Sequence, residues 1–132
     1  MTGVPPNPPT LRLGLDLLTL SELDRLTERA WFMNYIYAPQ ERSQADTMAA
    51  SRRREYLAAR FAAKEAVLKI LGTGLFQGVV PRDIRLPRGA SGAPEVELVG
   101  SAAAAAARVG IRAISVSITH KDSLVAAVVA GW

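Results

Sequence analysis

The stretch from Arg60 to Gly74, RFAAKEAVLKILGTG, constrains this chain more than any other. At about 100° per residue, Leu57, Phe61, Leu68 and Leu71 fall on one helical stripe. Lys64 lies within that stripe and Glu65 at its edge, where a helix that buries one face normally carries no charge. Breaks of a local rule gather at functional sites. Lys69 follows Glu65 by four residues on the same side, and Gly72-Thr73-Gly74 ends the helix, because glycine takes the left-handed cap conformation freely. A carboxylate and two ammonium groups would then line one flank above a glycine turn whose backbone can approach a ligand closely. A plain structural account fits the same residues. Glu65 and Lys69 could form an i,i+4 pair worth about 0.2–0.5 kcal/mol, Lys64 could snorkel, and the glycines could be a helix stop only.

The totals narrow the choice. A chain of 132 residues can bury a core without staples, and its lack of cysteine excludes a disulfide framework, a thiolate zinc site and a cysteine nucleophile. A single histidine excludes a histidine-rich metal site. No apolar run reaches the roughly 18–20 residues that span a bilayer, and no signal pattern opens the chain; a cytoplasmic protein is expected. The net charge of +4 favours an anionic partner. Aromatic residues are few and do not alternate with basic ones, as a base-stacking platform would require, so nucleic acid is the weaker candidate.

Residues 1–10, with four prolines, read as an extended or disordered lead before a single domain over 11–132. Leu11, Leu13, Leu15 and Leu17 alternate with Arg12, Gly14 and Asp16, a strand signal that puts Asp16 on the face opposite the leucines. Ser21 is the expected cap of a short helix through Leu23, Leu26 and Ala30. Trp31 to Ala38 is aromatic and reads as core packing ahead of ligand stacking, and Gln40 to Ala50 as loop mixed with a helical turn. A long helix is expected near Met48 to Leu71, carrying the basic run Arg52-Arg53-Arg54 on a solvated face that could also dock an acidic partner. Asp83–Pro87 and Glu95–Val99 read as a short hairpin about Gly89–Gly92. An alanine-rich helix follows from Ser101, its cap, to Gly110. Ile114, Val116 and Ile118 begin a half-buried strand, His120 to Ser123 turns the chain, and Leu124 to Ala130 returns as a second strand.

Three of these segments together resemble the holo-acyl-carrier-protein synthases, the small 4′-phosphopantetheinyl transferases: GLDLL at Gly14–Leu18, RFAAKEAVLKILGTG, and SVSITHKDSLVAAVV at Ser115–Val129. The resemblance implies an α+β fold, a small antiparallel sheet packed on a long helix, assembled as a homotrimer with active sites between subunits. It implies transfer of the phosphopantetheine arm of coenzyme A to a serine of an acidic acyl carrier protein, with release of adenosine 3′,5′-bisphosphate. By position, Asp16 and Glu65 would hold Mg²⁺, and Lys69 would lie near the pyrophosphate. Arg60 and Lys64 would stand at or near the coenzyme site, Gly72, Thr73 and Gly74 at the nucleotide, and His120 by the coenzyme phosphates. Two carboxylates suit Mg²⁺, which prefers oxygen ligands and keeps several waters. Glu65, directly or through a metal-held water, would take the serine proton. Leu17 to Arg25 is a few residues longer than the family pattern, and Trp31 to Ala50 departs from it. Two other readings remain at this point: a non-catalytic coenzyme A or nucleotide-binding module, and a basic nucleic-acid-binding protein. The carrier could belong to fatty-acid synthesis or to a polyketide or peptide assembly line.

Overall fold

The computed structural model describes residues 10–132; the proline-rich lead lies outside them up to residue 9. Strand β1 (Arg12–Thr19) opens the fold and is followed by two short 3-10 turns, Leu20–Leu23 and Leu26–Glu28. Helices α1 (Ala30–Ile36), α2 (Pro39–Asp46) and α3 (Ala50–Ile70) come next. The small hairpin of β2 (Ile84–Arg85) and β3 (Glu97–Leu98), helix α4 (Gly100–Val109) and the strands β4 (Ile114–Lys121) and β5 (Leu124–Gly131) complete it. The main sheet is antiparallel in the order β1-β5-β4, and α3 lies across its inner face. The core is the contact between them: Leu57, Ala62, Ala66, Val67 and Ile70 from α3 pack with Leu18, Val125, Ala127 and Val129 from the sheet. Among the described residues, no helix is long and apolar enough to cross a membrane.

One glycine sets how closely strand and helix approach. A Cβ built on Gly14 would stand 2.2 Å from the Ala66 carbonyl oxygen, so β1 crosses α3 backbone to backbone. Arg12, two residues earlier on the same face, donates to the Ile70 carbonyl at 3.0 Å and satisfies the end of α3. Gly14→Ala must push the two elements apart, because the obstacle is main chain rather than a movable side chain. We expect it to cost about 3 kcal/mol, the upper end of overpacking penalties, read as a fall in the denaturation midpoint. An unchanged midpoint would show that the crossing is looser than described.

Several local expectations are corrected. Thr19, not Ser21, starts the first turn: its N–H and hydroxyl both donate to Glu22 (2.6 and 2.9 Å). The expected helix through Ala30 is two 3-10 turns and a separate α1. Residues 39–46 form a full helix where a loop mixed with a helical turn is expected, since Pro39 suits the first helical position and the Ala38 N–H donates to Glu41 at 2.8 Å. The start of α4 is satisfied from another element, Asp83, which accepts from the Ser101 N–H and hydroxyl. His120 lies within β4, and the turn after it narrows to Asp122 and Ser123, with Asp122 at φ 56°. The aromatic segment divides: Phe32, Ile36 and Tyr37 are buried, whereas Trp31 is exposed.

The leucine row of β1 faces outward. Leu13, Leu15 and Leu17 are 71%, 59% and 63% exposed, and Leu15 lies opposite Val128 on β5, which is exposed as well. A single subunit therefore leaves an apolar sheet face uncovered.

Candidate active site

The Gly14 crossing brings Asp16 on β1 beside Glu65 and Lys69 on α3. Lys69 Nζ donates to the Leu15 carbonyl at 2.5 Å and lies 3.4 Å from Asp16 Oδ1, tying helix to strand. Burial raises the Asp16 carboxyl above its ordinary range against the pull of Lys69, with a smaller push from Glu22. Burial also raises Glu65, the nearby Asp16 charge adds to it, and Lys69 opposes it. Two carboxylates thus share one half-buried corner, each making the other's charge costlier. Glu65 Oε1 is buried and has no hydrogen-bond partner. Asp16 and Glu65 are the two residues of this corner whose oxygens could hold a hard cation.

Helix α3 ends just beyond this corner in a Schellman arrangement. The Gly72 N–H donates to Lys69 O at 3.1 Å and the Thr73 N–H to Leu68 O at 3.0 Å, with Gly72 at φ 75°. Gly74 continues into Phe76, whose φ of 61° is unusual for a bulky residue. Phe76 stacks on Tyr35 with centroids 4.7 Å apart, and its N–H donates to the Tyr35 hydroxyl at 3.0 Å. Trp31 joins them at 6.4 Å from Phe76, so a largely exposed aromatic cluster borders the glycine turn.

Arg60 does not join Asp16 and Glu65 within the subunit. Five residues from Glu65, it points about 140° away around the helix axis. It lines instead a cleft of about 800 Å³ between α2 and the β2 segment, together with Arg52, Arg85 and Arg88. Its guanidinium sits 3.8 Å from the centre of the Tyr56 ring and donates to the Leu86 carbonyl at 3.3 Å. Arg52 stands two turns before Arg60 on α3, whereas Arg85 and Arg88 come from a segment more than twenty residues further on, so no local pattern marks the four as one group.

Lys64 is corrected outright as a coenzyme ligand. It is 1% exposed, and its ammonium is committed to Glu41 at 2.8 Å, Ile84 O at 2.6 Å and Pro81 O at 3.0 Å. An ammonium has three protons, so no donor is left over. Burial drives its pKa down and the Glu41 carboxylate holds it up. His120 is exposed near the end of β4. It shares the helix side of the sheet with Asp16 but is two strands away across β5, about 10 Å at usual strand spacing. One subunit therefore gathers Asp16, Glu65, Lys69 and the glycine turn, and leaves Arg60 and His120 apart.

Comparison with known proteins agrees over nearly the whole chain. Residues 12–129 match the model of the 4′-phosphopantetheinyl transferase superfamily. The chain is 40% identical over 123 residues to a holo-acyl-carrier-protein synthase of Desulforudis audaxviator, covering 91% of this chain and 92% of that one. It is 42% identical over 123 residues to the corresponding synthase of a Methylobacterium, covering 89% and 90%. Among solved structures, the synthase of Neisseria meningitidis superposes with TM-score 0.80 at 30% identity, covering 91% of this chain and 96% of that one. The synthase of Bacillus anthracis, in complex with coenzyme A (3′,5′-ADP), superposes with TM-score 0.74 at 28% identity, covering 90% and 93%.

Proposed function

We propose, from the premise that this chain belongs to the 4′-phosphopantetheinyl transferase superfamily, among its holo-acyl-carrier-protein synthases, that its reacting centre is the β1–α3 crossing. The donor is coenzyme A and the acceptor a serine hydroxyl of an apo acyl carrier protein. The serine oxygen attacks the β-phosphorus of the coenzyme pyrophosphate, and the bond from that phosphorus to the bridging oxygen breaks. Adenosine 3′,5′-bisphosphate leaves with the electron pair. Glu65 accepts the serine proton; a carboxyl raised by burial is a stronger base than a free one. Lys69 sets positive charge beside the departing phosphate, and the Gly72–Gly74 turn lets main chain close on the nucleotide without side chains between. The observation that carries this reading is the gathering of Asp16, Glu65 and Lys69 at one corner with a buried carboxylate oxygen left unpartnered.

The same corner fits Mg²⁺. Asp16 and Glu65 supply two hard oxygen donors, and among the described residues no third acid or histidine completes a protein cage. That suits an ion which keeps waters and takes phosphate oxygens. When bound it would polarise the β-phosphate and stabilise charge on the leaving group. Asp16→Asn should lose about a hundredfold or more of transfer and most of the rise in melting temperature that Mg²⁺ gives the parent chain. If Asp16→Asn keeps both, Asp16 is not a ligand.

We place the assembly as a homotrimer in the cytoplasm. The exposed leucine face of β1 supports burial against another copy, and the distance of His120 from Asp16 within one chain supports a site completed by a neighbour. The net charge of +4 favours an acidic carrier by electrostatic steering.

A further inference from the structure

The buried pair of Glu41 and Lys64 reaches beyond packing. Glu41 Oε1 accepts from Lys64 Nζ and from the Ala38 N–H, both at 2.8 Å, which fixes the carboxylate on α2 against α3. Its other oxygen, Oε2, is turned toward Arg60 Nε at 3.7 Å. At that distance the two atoms form an ion pair without a hydrogen bond; neither has a hydrogen-bond partner, and both are shielded from solvent. Arg60 is therefore held from three directions, by Glu41, by the Tyr56 face and by the Leu86 carbonyl. An arginine side chain left free samples many rotamers, and each restraint removes part of the ordering cost of binding an anion.

Coenzyme A carries two separate anionic groups, the pyrophosphate and the 3′-phosphate. The chain likewise carries two separate cationic places, Lys69 on one flank of α3 and the arginine cleft on the other. We propose that Glu41 is a positioning residue: locked by Lys64 and the Ala38 N–H, its carboxylate fixes the Arg60 guanidinium so that the arginine cleft recognises the donor's 3′-phosphate. This inference rests on the coenzyme reading above. It also gives Lys64 a purpose in that reading without contact to the ligand, as the buried partner that holds the Glu41 carboxylate in place at 2.8 Å.

The test compares transfer from coenzyme A and from 3′-dephospho-coenzyme A, using the full chain and an apo carrier. The parent should prefer coenzyme A by about tenfold or more in KM, as expected for a charge-assisted contact. Glu41→Gln should collapse that ratio toward one, with kcat moving far less than KM. Because Glu41→Gln leaves the Lys64 ammonium buried without its counter-charge, the double variant Glu41→Leu/Lys64→Met serves as a folded control. It should lose the ratio too, and Lys64→Met alone, which removes one of the two contacts that hold Glu41 in place, should lower the ratio part of the way. A purely structural pair would lower the melting temperature and weaken both donors alike. Transfer that persists with the parent's ratio intact in Glu41→Gln and in the double variant would overturn the proposal, as would a parent that does not distinguish the donors. A parent that transfers from neither donor would remove the coenzyme reading itself.

Discussion

Glu65→Gln is expected to lose about a thousandfold in kcat and to melt at a higher temperature than the parent in metal-free buffer. The loss follows from removing the proton acceptor, a role worth about 10²–10⁴-fold. The gain in stability follows from electrostatics. Burial and the neighbouring Asp16 raise the Glu65 carboxyl, so the folded chain holds its proton more tightly than the unfolded chain does. A raised acid carries no penalty below its unfolded pKa of about 4.3, and the full penalty above its folded value. Stability therefore falls as pH rises through that window. The neutral glutamine escapes the fall, so its advantage over the parent should be present at pH 7 and vanish near pH 4. Saturating Mg²⁺ should narrow the gap by stabilising only the parent. Calorimetry across pH, run beside the transfer assay, separates this account from its rival. A variant that is inactive and less stable at every pH would mean that Glu65 holds the fold rather than the reaction.

Loss of assembly should have the next largest effect. Leu15→Glu places a carboxylate at the centre of the outward leucine row, beside Val128 on β5. If that face is covered by another copy, the buried charge would dissociate the assembly, and activity should fall about a hundredfold or more with the site left without its neighbour. Light scattering would report the mass. A complementation experiment asks whether sites are shared. Glu65→Gln and His120→Ala, each inactive alone, should recover about a quarter of parental activity when co-expressed, since that share of neighbouring pairs in a closed ring would contain both intact residues. No recovery, with mixed assemblies demonstrated, would put both residues in one chain's site.

The extent to which the sequence displayed all this depended on how local each feature was. Helix α3 was legible because Leu57, Phe61, Leu68 and Leu71 mark a helical stripe and Gly72 stops it, and the β4–β5 hairpin because its alternation is regular. Helix α2 was not, since its single buried acid, Glu41, looks like any other charge in a polar stretch. Alternation along β1 separated Asp16 from the leucines, but a period of two cannot say which face the core will take; only the contact of Gly14 with Ala66 fixes it. Lys64 on an apolar stripe was a true anomaly with an unforeseen resolution. Its acceptors, Glu41, Pro81 and Ile84, come from both sides of α3 in the chain and meet only in the fold. Asp16, Glu65 and Lys69 came together as expected because two strong elements carry them.

The mass of an apo carrier protein after incubation with this chain, coenzyme A and Mg²⁺ reads the transfer itself. The carrier should gain one phosphopantetheine arm on its serine, adenosine 3′,5′-bisphosphate should appear in equal amount, and a chelator should stop both. A carrier of unchanged mass, beside a folded chain that nonetheless binds coenzyme A, would mean that the chain binds the donor without transferring its arm.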